Sequence, residues 1–195
     1  MLRHLKSKGC AKDLTLKQLT LSLTMLLALL SSQRVQTLHL MDMKNLVLNK
    51  TQAVFKIRDL VKQTRPGTHI NDIVFQAYSV DEKLCPVKLL EEYIKRTKKL
   101  TKSTKLFVSF SKPHAPVGKS TISRWIKMTL AECGLHKQFT AHSTRSASTS
   151  KAFFAGVPIA TIMNTAGWRK GSTFAQFYRK PIAEVSMASA LMDDV

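Results

Sequence analysis

The chain contains little cysteine and few acidic residues. Its three cysteines, Cys10, Cys85 and Cys133, are an odd number and form no C-x-x-C pair. Neither a disulfide framework nor a zinc ribbon fits so few and so scattered thiols, and we expect a reducing, intracellular compartment. Asp and Glu together number 12, so the sequence does not indicate a two-metal carboxylate cluster.

Positive charge dominates because acidic residues are so scarce. Lys and Arg total 31, which gives the 195-residue chain a formal net charge of +19. Repulsion among so many positive charges is relieved most readily when the protein binds a polyanion. Nucleic acid is therefore the leading partner class, and an anionic membrane surface is the alternative. The hydrophobic content of 44% is enough for a packed core and argues against intrinsic disorder. The length fits one domain with short appendages.

A leucine-rich segment, 14–30, follows several basic residues and resembles a secretory signal. Lys17 and Gln18 interrupt it, however, and no small-x-small cleavage site follows before Arg34. Thr15 and Gln18 have the spacing of a capping box, and the leucines recur at helical spacing. These features favour a buried core helix over a signal peptide or a membrane anchor.

Hydrophobic periodicity and turn signals predict a mainly helical fold with a small sheet. Residues 1–13 form a basic lead-in that we expect to be poorly ordered. The predicted fold class is α+β, mainly α, with a helical core and a three-stranded antiparallel sheet. The strands are predicted at about Asn45–Asn49, Ala53–Ile57 and Asp72–Tyr78, and the main helices at about Thr15–Leu30, from Pro86, from Ser120 to Gly134, and at Ser143–Ala155, Pro158–Ala166 and Ser172–Tyr178.

An H-x-x-R motif runs from His142 to Arg145. If a helix begins here, the i, i+3 spacing puts both side chains on one face. The N-terminus of that helix would also offer free N–H groups and partial positive charge, which favour a phosphate. By itself the motif is weak, because a surface His and Arg can occur at this spacing in any basic helical protein.

The neighbours of this motif carry a resemblance to a known family. Arg34 precedes it, and Trp168 and then Tyr178 follow it. This order resembles the catalytic domain of the tyrosine recombinases, or site-specific integrases, over about residues 14–182. The segments RVQTLHLMDM, KQTRPGTH, TISRWIK, HSTRSASTSKA and STFAQFY are most similar to the recombinases of DIRS-like retrotransposons.

The resemblance implies that the protein cleaves and rejoins DNA strands through a 3′-phosphotyrosyl intermediate, without metal, nucleotide or other cofactor. Tyr178 would be the nucleophile. Arg34 and Arg145 would stabilise the charge on the phosphate, since planar guanidinium groups match its oxygens. His142 would hydrogen-bond the phosphate or assist proton transfer. Trp168 stands where many relatives have histidine, and its indole N–H can donate a hydrogen bond but cannot act as a base.

The family also uses a lysine, in the turn after the second strand, as the general acid for the leaving 5′-oxygen. Lys62 matches that place best, Lys56 is the competitor, and either residue is otherwise a surface charge. Lys119, Arg124 and Lys127 lie on or beside the helix predicted from Ser120. They are candidates for DNA contacts, and a solvated helix face is the equal alternative.

Double-stranded DNA is the partner that the resemblance implies, with a homo-oligomer, dimer or tetramer, assembled on it. It also implies an intracellular, nuclear location and no membrane. Relatives carry a helical core-binding domain before the catalytic domain, whereas only the lead-in precedes it here, so that domain is encoded elsewhere or the element is partial. Residues 183–195 form a tail whose apolar stripe predicts a helix that docks into a neighbouring protomer.

Three other functions remain open from the sequence. A relaxer of DNA like the type IB topoisomerases would share the chemistry but exchange no strands. A domesticated DNA-binding protein would keep the residues without the activity. An unrelated basic protein that binds RNA or a membrane would make no use of the ordered set of residues.

Overall fold

Helices make up most of the fold. The computed structural model describes residues 1–59, 71–135, 139–168, 172 and 174. Within these ranges it shows a mainly helical domain with one small sheet, which confirms the predicted fold class. The helices are α1 (Leu2–Ser7), α2 (Leu16–Ser31), α3 (Val35–His39), α4 (Pro86–Thr97), α5 (Lys119–Glu132), α6 (Ser143–Phe154) and α7 (Ile159–Ala166), and the strands are β1 (Leu46–Leu48), β2 (Gln52–Phe55) and β3 (Ile73–Gln76).

The leucine-rich segment forms α2, the central helix of the core. Its capping box is present: Thr15 Oγ1 accepts a hydrogen bond from Gln18 N at 3.2 Å, and the Gln18 side chain accepts one from Thr15 N at 2.9 Å. Leu19, Leu23 and Leu27 are completely buried, and α4, α5 and α6 pack against the helix. A helix that is apolar all round belongs in an interior, so the prediction of a core helix is confirmed.

A bilayer-spanning helix is not found in the described ranges, where every helix is too short or too polar to cross a membrane.

The three strands form an antiparallel sheet in the order β1-β2-β3. Phe55 of β2 and Phe75 of β3 point into the core, where their rings meet edge to face with centroids 6.2 Å apart. This arrangement confirms the predicted sheet. The third strand is shorter than predicted, because its ladder with β2 ends at the pair Gln52 and Gln76.

The basic lead-in, residues 1–13, differs from the prediction that it is poorly ordered. It contains α1, and Leu5 on this helix is buried in the core. His4 and Lys8 both contact the carboxylate of Glu132 at the end of α5, at 3.2 and 2.5 Å. The basic composition suggested a solvated segment, whereas a partner more than a hundred residues away in the sequence fixes it in place.

A second, smaller apolar cluster lies beneath α6 and α7. Helix α7 ends at Gly167, whose φ of 68° is readily adopted only by glycine. Trp168 N then donates to Met163 O at 2.8 Å and closes the turn. The Trp168 ring packs on Phe174 with centroids 5.8 Å apart, and Phe174 is completely buried. Phe174 is therefore a core residue.

Candidate active site

Arg34 lies at the junction between α2 and α3. Ser32 ends α2 in the left-handed conformation, with φ 50° and ψ 24°, so the chain turns and Arg34 becomes the N-cap residue of α3. The Ser32 hydroxyl lies 3.1 Å from that of Ser148 on α6. This hydrogen bond holds the junction against the helix that carries Arg145.

Arg145 is fixed in the first turn of α6. Its side chain is only 1% exposed, and its Nη2 donates to Ala166 O, at the end of α7, at 2.8 Å. The guanidinium carbon lies 4.6 Å from the centroid of the Trp168 ring. A guanidinium held by an aromatic face and a carbonyl has little freedom to rotate. Such a preorganised donor stabilises charge that develops in a transition state without reorganising.

One cleft of about 420 Å³ brings three of the predicted catalytic residues together. Arg34, His142 and Arg145 all line it, and Lys127 reaches it from α5. These cationic and polar groups come from the α2–α3 junction, α5 and α6. None of the described residues that line the cleft is acidic. The cleft is therefore suited to an anion that can accept several hydrogen bonds, such as a phosphodiester.

His142 lies just before the first turn of α6, with its side chain largely exposed. Partial burial lowers the pKa of the imidazole below 6.5, and the positive charges of Arg145 and Arg34 lower this pKa further. Near neutral pH the ring is therefore uncharged, with one N–H donor and one acceptor nitrogen. A bound phosphate would raise the same pKa, because a nearby negative charge favours the protonated ring.

The pKa of His142 provides a test of this convergence. We expect Arg34→Gln to raise the pKa of His142, since the substitution removes a positive charge that opposes protonation. The measurement is an NMR pH titration of the His142 ring proton. Arg58→Gln, which removes an exposed arginine that does not line the cleft, should leave the midpoint unchanged. Equal midpoints in both variants would show that Arg34 does not face His142 in solution.

The three predicted DNA-contacting residues lie on α5, each with an exposed side chain. Trp125 and Ile126 of the same helix face the core. Of the three cations, Lys127 lines the cleft together with Ser123, whereas Lys119 and Arg124 do not. The helix thus presents cations beside the cleft, and the DNA contacts stay a prediction.

Tyr178 and Lys62 lie outside the described residues. The chain has three tyrosines, and the structure describes the other two. Tyr93 is buried in the core; burial raises its pKa to about 12, and its hydroxyl accepts a hydrogen bond from Val108 N at 3.1 Å. Tyr78 is exposed, follows β3 and does not line the cleft. Neither residue lines the cleft, and Tyr178 stays the nucleophile that the family resemblance implies.

Sequence reasoning missed several neutral residues of the cleft. None of these residues carries a charge, although Val35, Gln36 and Ser123 lie within the segments RVQTLHLMDM and TISRWIK, and Gln33 directly precedes Arg34. They are Gln33, Val35, Gln36, Ser123, Thr140 and Ala141.

The helical core, the small antiparallel sheet and their arrangement are those of tyrosine recombinase catalytic domains. The sequence profile of the Phage integrase family matches residues 8–184, and the chain belongs to this family. No curated protein sequence matches the chain at a significant level.

Solved structures show the same fold. XerA recombinase matches with a TM-score of 0.64 and 19% identity, over 98% of this chain and 58% of that one. XerH recombinase bound to its difH substrate matches with a TM-score of 0.63 and 11% identity, over 88% and 46%. A lambda integrase(75-356) dimer bound to a COC′ core site matches with a TM-score of 0.54 and 18% identity, over 92% and 62%. The chain thus spans about half the length of these proteins.

Proposed function

We propose that the chain is the catalytic domain of a site-specific DNA recombinase or integrase that works through a 3′-phosphotyrosyl intermediate. The observation that carries this proposal is the convergence of Arg34, His142 and Arg145 on one cleft with no described acidic lining residue. Family membership supports the same reaction class. The test is whether nicked duplex DNA traps a covalent adduct with the protein.

The proposed reaction is an in-line displacement at a phosphodiester in the cleft. The Tyr178 phenol oxygen forms a bond to phosphorus while the bond from phosphorus to the 5′-oxygen breaks. Arg34 and Arg145 donate to the non-bridging oxygens as negative charge builds on them. His142 hydrogen-bonds the phosphate or, from its uncharged form, takes the phenol proton. The covalent link conserves the energy of the broken bond, so attack by a 5′-hydroxyl reverses the step without nucleotide or metal.

Lys62 is the proposed general acid for the 5′-oxygen. We expect Lys62→Ala to slow cleavage by roughly 10²–10⁴-fold, the usual range for a lost general acid. The defect should disappear on DNA with sulfur in place of the bridging 5′-oxygen, because a thiolate leaves without a proton. Lys56→Ala is the matched control, an exposed lysine directly after β2. If the Lys56 variant instead shows the defect and sulfur rescues it, the general acid is Lys56.

The same adduct experiment separates the alternatives. Relaxation of supercoiled DNA with an adduct but without strand exchange would select a relaxer like the type IB topoisomerases. DNA binding with a steep salt dependence and no adduct would select a non-catalytic DNA-binding protein. The recombinase requires both the adduct and joined products from two duplexes.

We also propose that the protein assembles on DNA as a dimer or tetramer. The lambda integrase structures include a dimer on a core site and a tetramer on a Holliday junction. In this chain the tail, residues 183–195, is rich in apolar residues and contains acidic but no basic residues. A mostly apolar groove of about 780 Å³ between the end of α2, α6 and α7 has Arg3 and Lys151 in its lining. The tail of a second copy is the proposed occupant.

Removal of residues 183–195 tests this docking. We expect the truncated protein to bind a single site as well as the full chain does, because the cleft is intact. Cooperative binding to two adjacent sites should be lost. The measurement is a gel-shift titration on DNA with one site and with two. Unchanged cooperativity would show that the tail does not join the copies.

We also propose a more specific origin of the protein within its family, together with its location in the cell. The segments that resemble recombinases of DIRS-like retrotransposons, among them RVQTLHLMDM and HSTRSASTSKA, support an origin in such an element. That origin places the protein with its DNA in the nucleus. A reverse transcriptase reading frame beside the gene would support the origin, and exclusion of the tagged chain from the nucleus would contradict the location.

A further inference from the structure

Gln33 makes a hydrogen bond that joins the cleft to α7. It directly precedes Arg34, is 7% exposed and lines the cleft. Its Nε2 donates to Thr165 O at 2.6 Å. Thr165 lies in the last turn of α7, where carbonyl groups have no partner within the helix. The amide therefore ties the Arg34 segment to the end of α7.

Arg145 binds the same helix end. Its Nη2 donates to Ala166 O at 2.8 Å, the carbonyl that follows the one held by Gln33. Both sides of the cleft are thus attached to consecutive carbonyls of α7. From there the chain continues through Trp168, which packs under Arg145, toward Tyr178. The position of the α7 end relative to the two arginines depends on these two hydrogen bonds.

The main chain around Gln33 is itself held in place. Gln33 N donates to Ser31 Oγ at 3.2 Å, and Ser31 Oγ donates to Leu27 O at 2.7 Å. Ser32 is joined to Ser148 on α6. Because the backbone is fixed on both sides, a change at the Gln33 side chain acts mainly on α7. The side chain is therefore a short, stiff link between the α2–α3 junction and α7.

Stability alone does not explain an amide at this position. The Gln33 Oε1 atom is buried, and no described residue serves as its hydrogen-bond partner. A buried acceptor without a partner costs free energy that an apolar side chain of the same shape would avoid. Thr165 is exposed, so water can solvate its carbonyl if the Gln33 donor is removed. The useful part of the side chain is then its N–H donor.

We propose that Gln33 is a positioning residue, which sets the distance between Arg34 and the end of α7 that leads to the nucleophile. This inference rests on the proposed function, because it concerns the alignment of the attacking phenol with the phosphate held by Arg34. Misplacement of reacting groups by about 1 Å can cost roughly 10²-fold in rate even when binding is unchanged. Gln33 acts through these groups and does not itself react.

Gln33→Met is the variant that tests the link, since it keeps the length and loses the donor. We expect the rate of adduct formation at saturating DNA to fall by roughly 10–100-fold. The Kd for DNA should stay within about twofold and the melting temperature within a few degrees, because the cations remain and packing is retained. Gln76→Met is the matched control: its amide donates to Gln52 Oε1 at 3.2 Å on the sheet.

Tryptophan fluorescence provides a readout that is independent of activity. Both tryptophans are buried, Trp125 at 2% exposed and Trp168 at 8%. Release of the α7 end should make the emission of Trp168 more accessible to acrylamide in Gln33→Met and not in Gln76→Met. Circular dichroism shows whether Gln33→Met has lost its fold, in which case Gln33→Leu, also without a donor, takes its place.

The outcomes are distinct. A slower adduct step with unchanged Kd and raised quenching supports the positioning role. Parental rate and parental quenching in the variant overturn it, and so does a loss of rate that merely follows a loss of binding or of melting temperature. If the parent protein itself forms no adduct, the proposed function fails, while the quenching comparison still decides whether Gln33 holds the end of α7.

Discussion

Replacing Tyr178 by phenylalanine is expected to abolish the covalent protein–DNA adduct and to leave DNA binding intact. The substitution removes one oxygen, the proposed nucleophile, and keeps the aromatic ring. Loss of a nucleophile has cost roughly 10⁴-fold or more in other enzymes, which would take the adduct below detection. The measurement is an SDS-resistant band formed with nicked duplex DNA, together with a gel shift for affinity.

Tyr78→Phe is the control for this experiment. Tyr78 is exposed and does not line the cleft, so its variant should form the adduct at the parental rate. Tyr93 is a poor alternative nucleophile, because burial raises its pKa to about 12 and its hydroxyl is bonded to the Val108 backbone. An adduct that persists in Tyr178→Phe would assign the nucleophile elsewhere and contradict the proposed mechanism.

The fold was predictable where the determining interactions are local. The capping box of Thr15 and Gln18, the glycine at the end of α7 and the apolar spacing of α5 each lie within a few residues. The lead-in was not predictable, because α1 is held by Glu132, whose position near His4 and Lys8 arises only on folding. A segment with many charged residues is expected to be exposed to solvent, unless an oppositely charged residue far away in the sequence pairs with it on folding.

The residues of the candidate site also differ in how far the sequence predicts them. His142 and Arg145 are close through the geometry of a single helix, which the i, i+3 spacing predicts. Arg34 is more than a hundred residues earlier in the chain, and only the family resemblance linked it to the pair. The structure adds Gln33 to the same cleft and places one of the three predicted DNA-contact candidates, Lys127, there as well. A neutral amide carries no signal in the sequence, and only the packing of α5 decides which of its cations reaches the cleft.

The structure also shows contacts of Trp168 that the sequence does not predict. The family resemblance implies only that its indole N–H can donate a hydrogen bond. The residue is 8% exposed, and its ring contacts both Phe174 and the Arg145 guanidinium. Trp168 is thus part of the small cluster and at the same time fixes the plane of a proposed catalytic cation. The donor role remains a prediction for the DNA-bound state.

Replacing Arg145 by lysine is the second change with a large expected effect. Lysine keeps the positive charge but lacks the planar fork that donates to Ala166 O and stacks on Trp168. We expect the rate of adduct formation at saturating DNA to fall by roughly 10²–10³-fold, the usual loss for one preorganised donor. The measurement is single-turnover cleavage of nicked DNA, with the melting temperature recorded for each variant.

Arg96→Lys separates catalysis from stability in this comparison. Arg96 is also an arginine that donates to main-chain carbonyls, those of Ala11, Lys12 and Leu14, and its Nε lies 2.6 Å from Glu92 Oε1. Its variant should lower the melting temperature without slowing the adduct step at saturating DNA, because Arg96 does not line the cleft. If Arg145→Lys forms the adduct as fast as Arg96→Lys does, positive charge alone suffices at this position, and the bidentate, oriented guanidinium has no part in the chemistry.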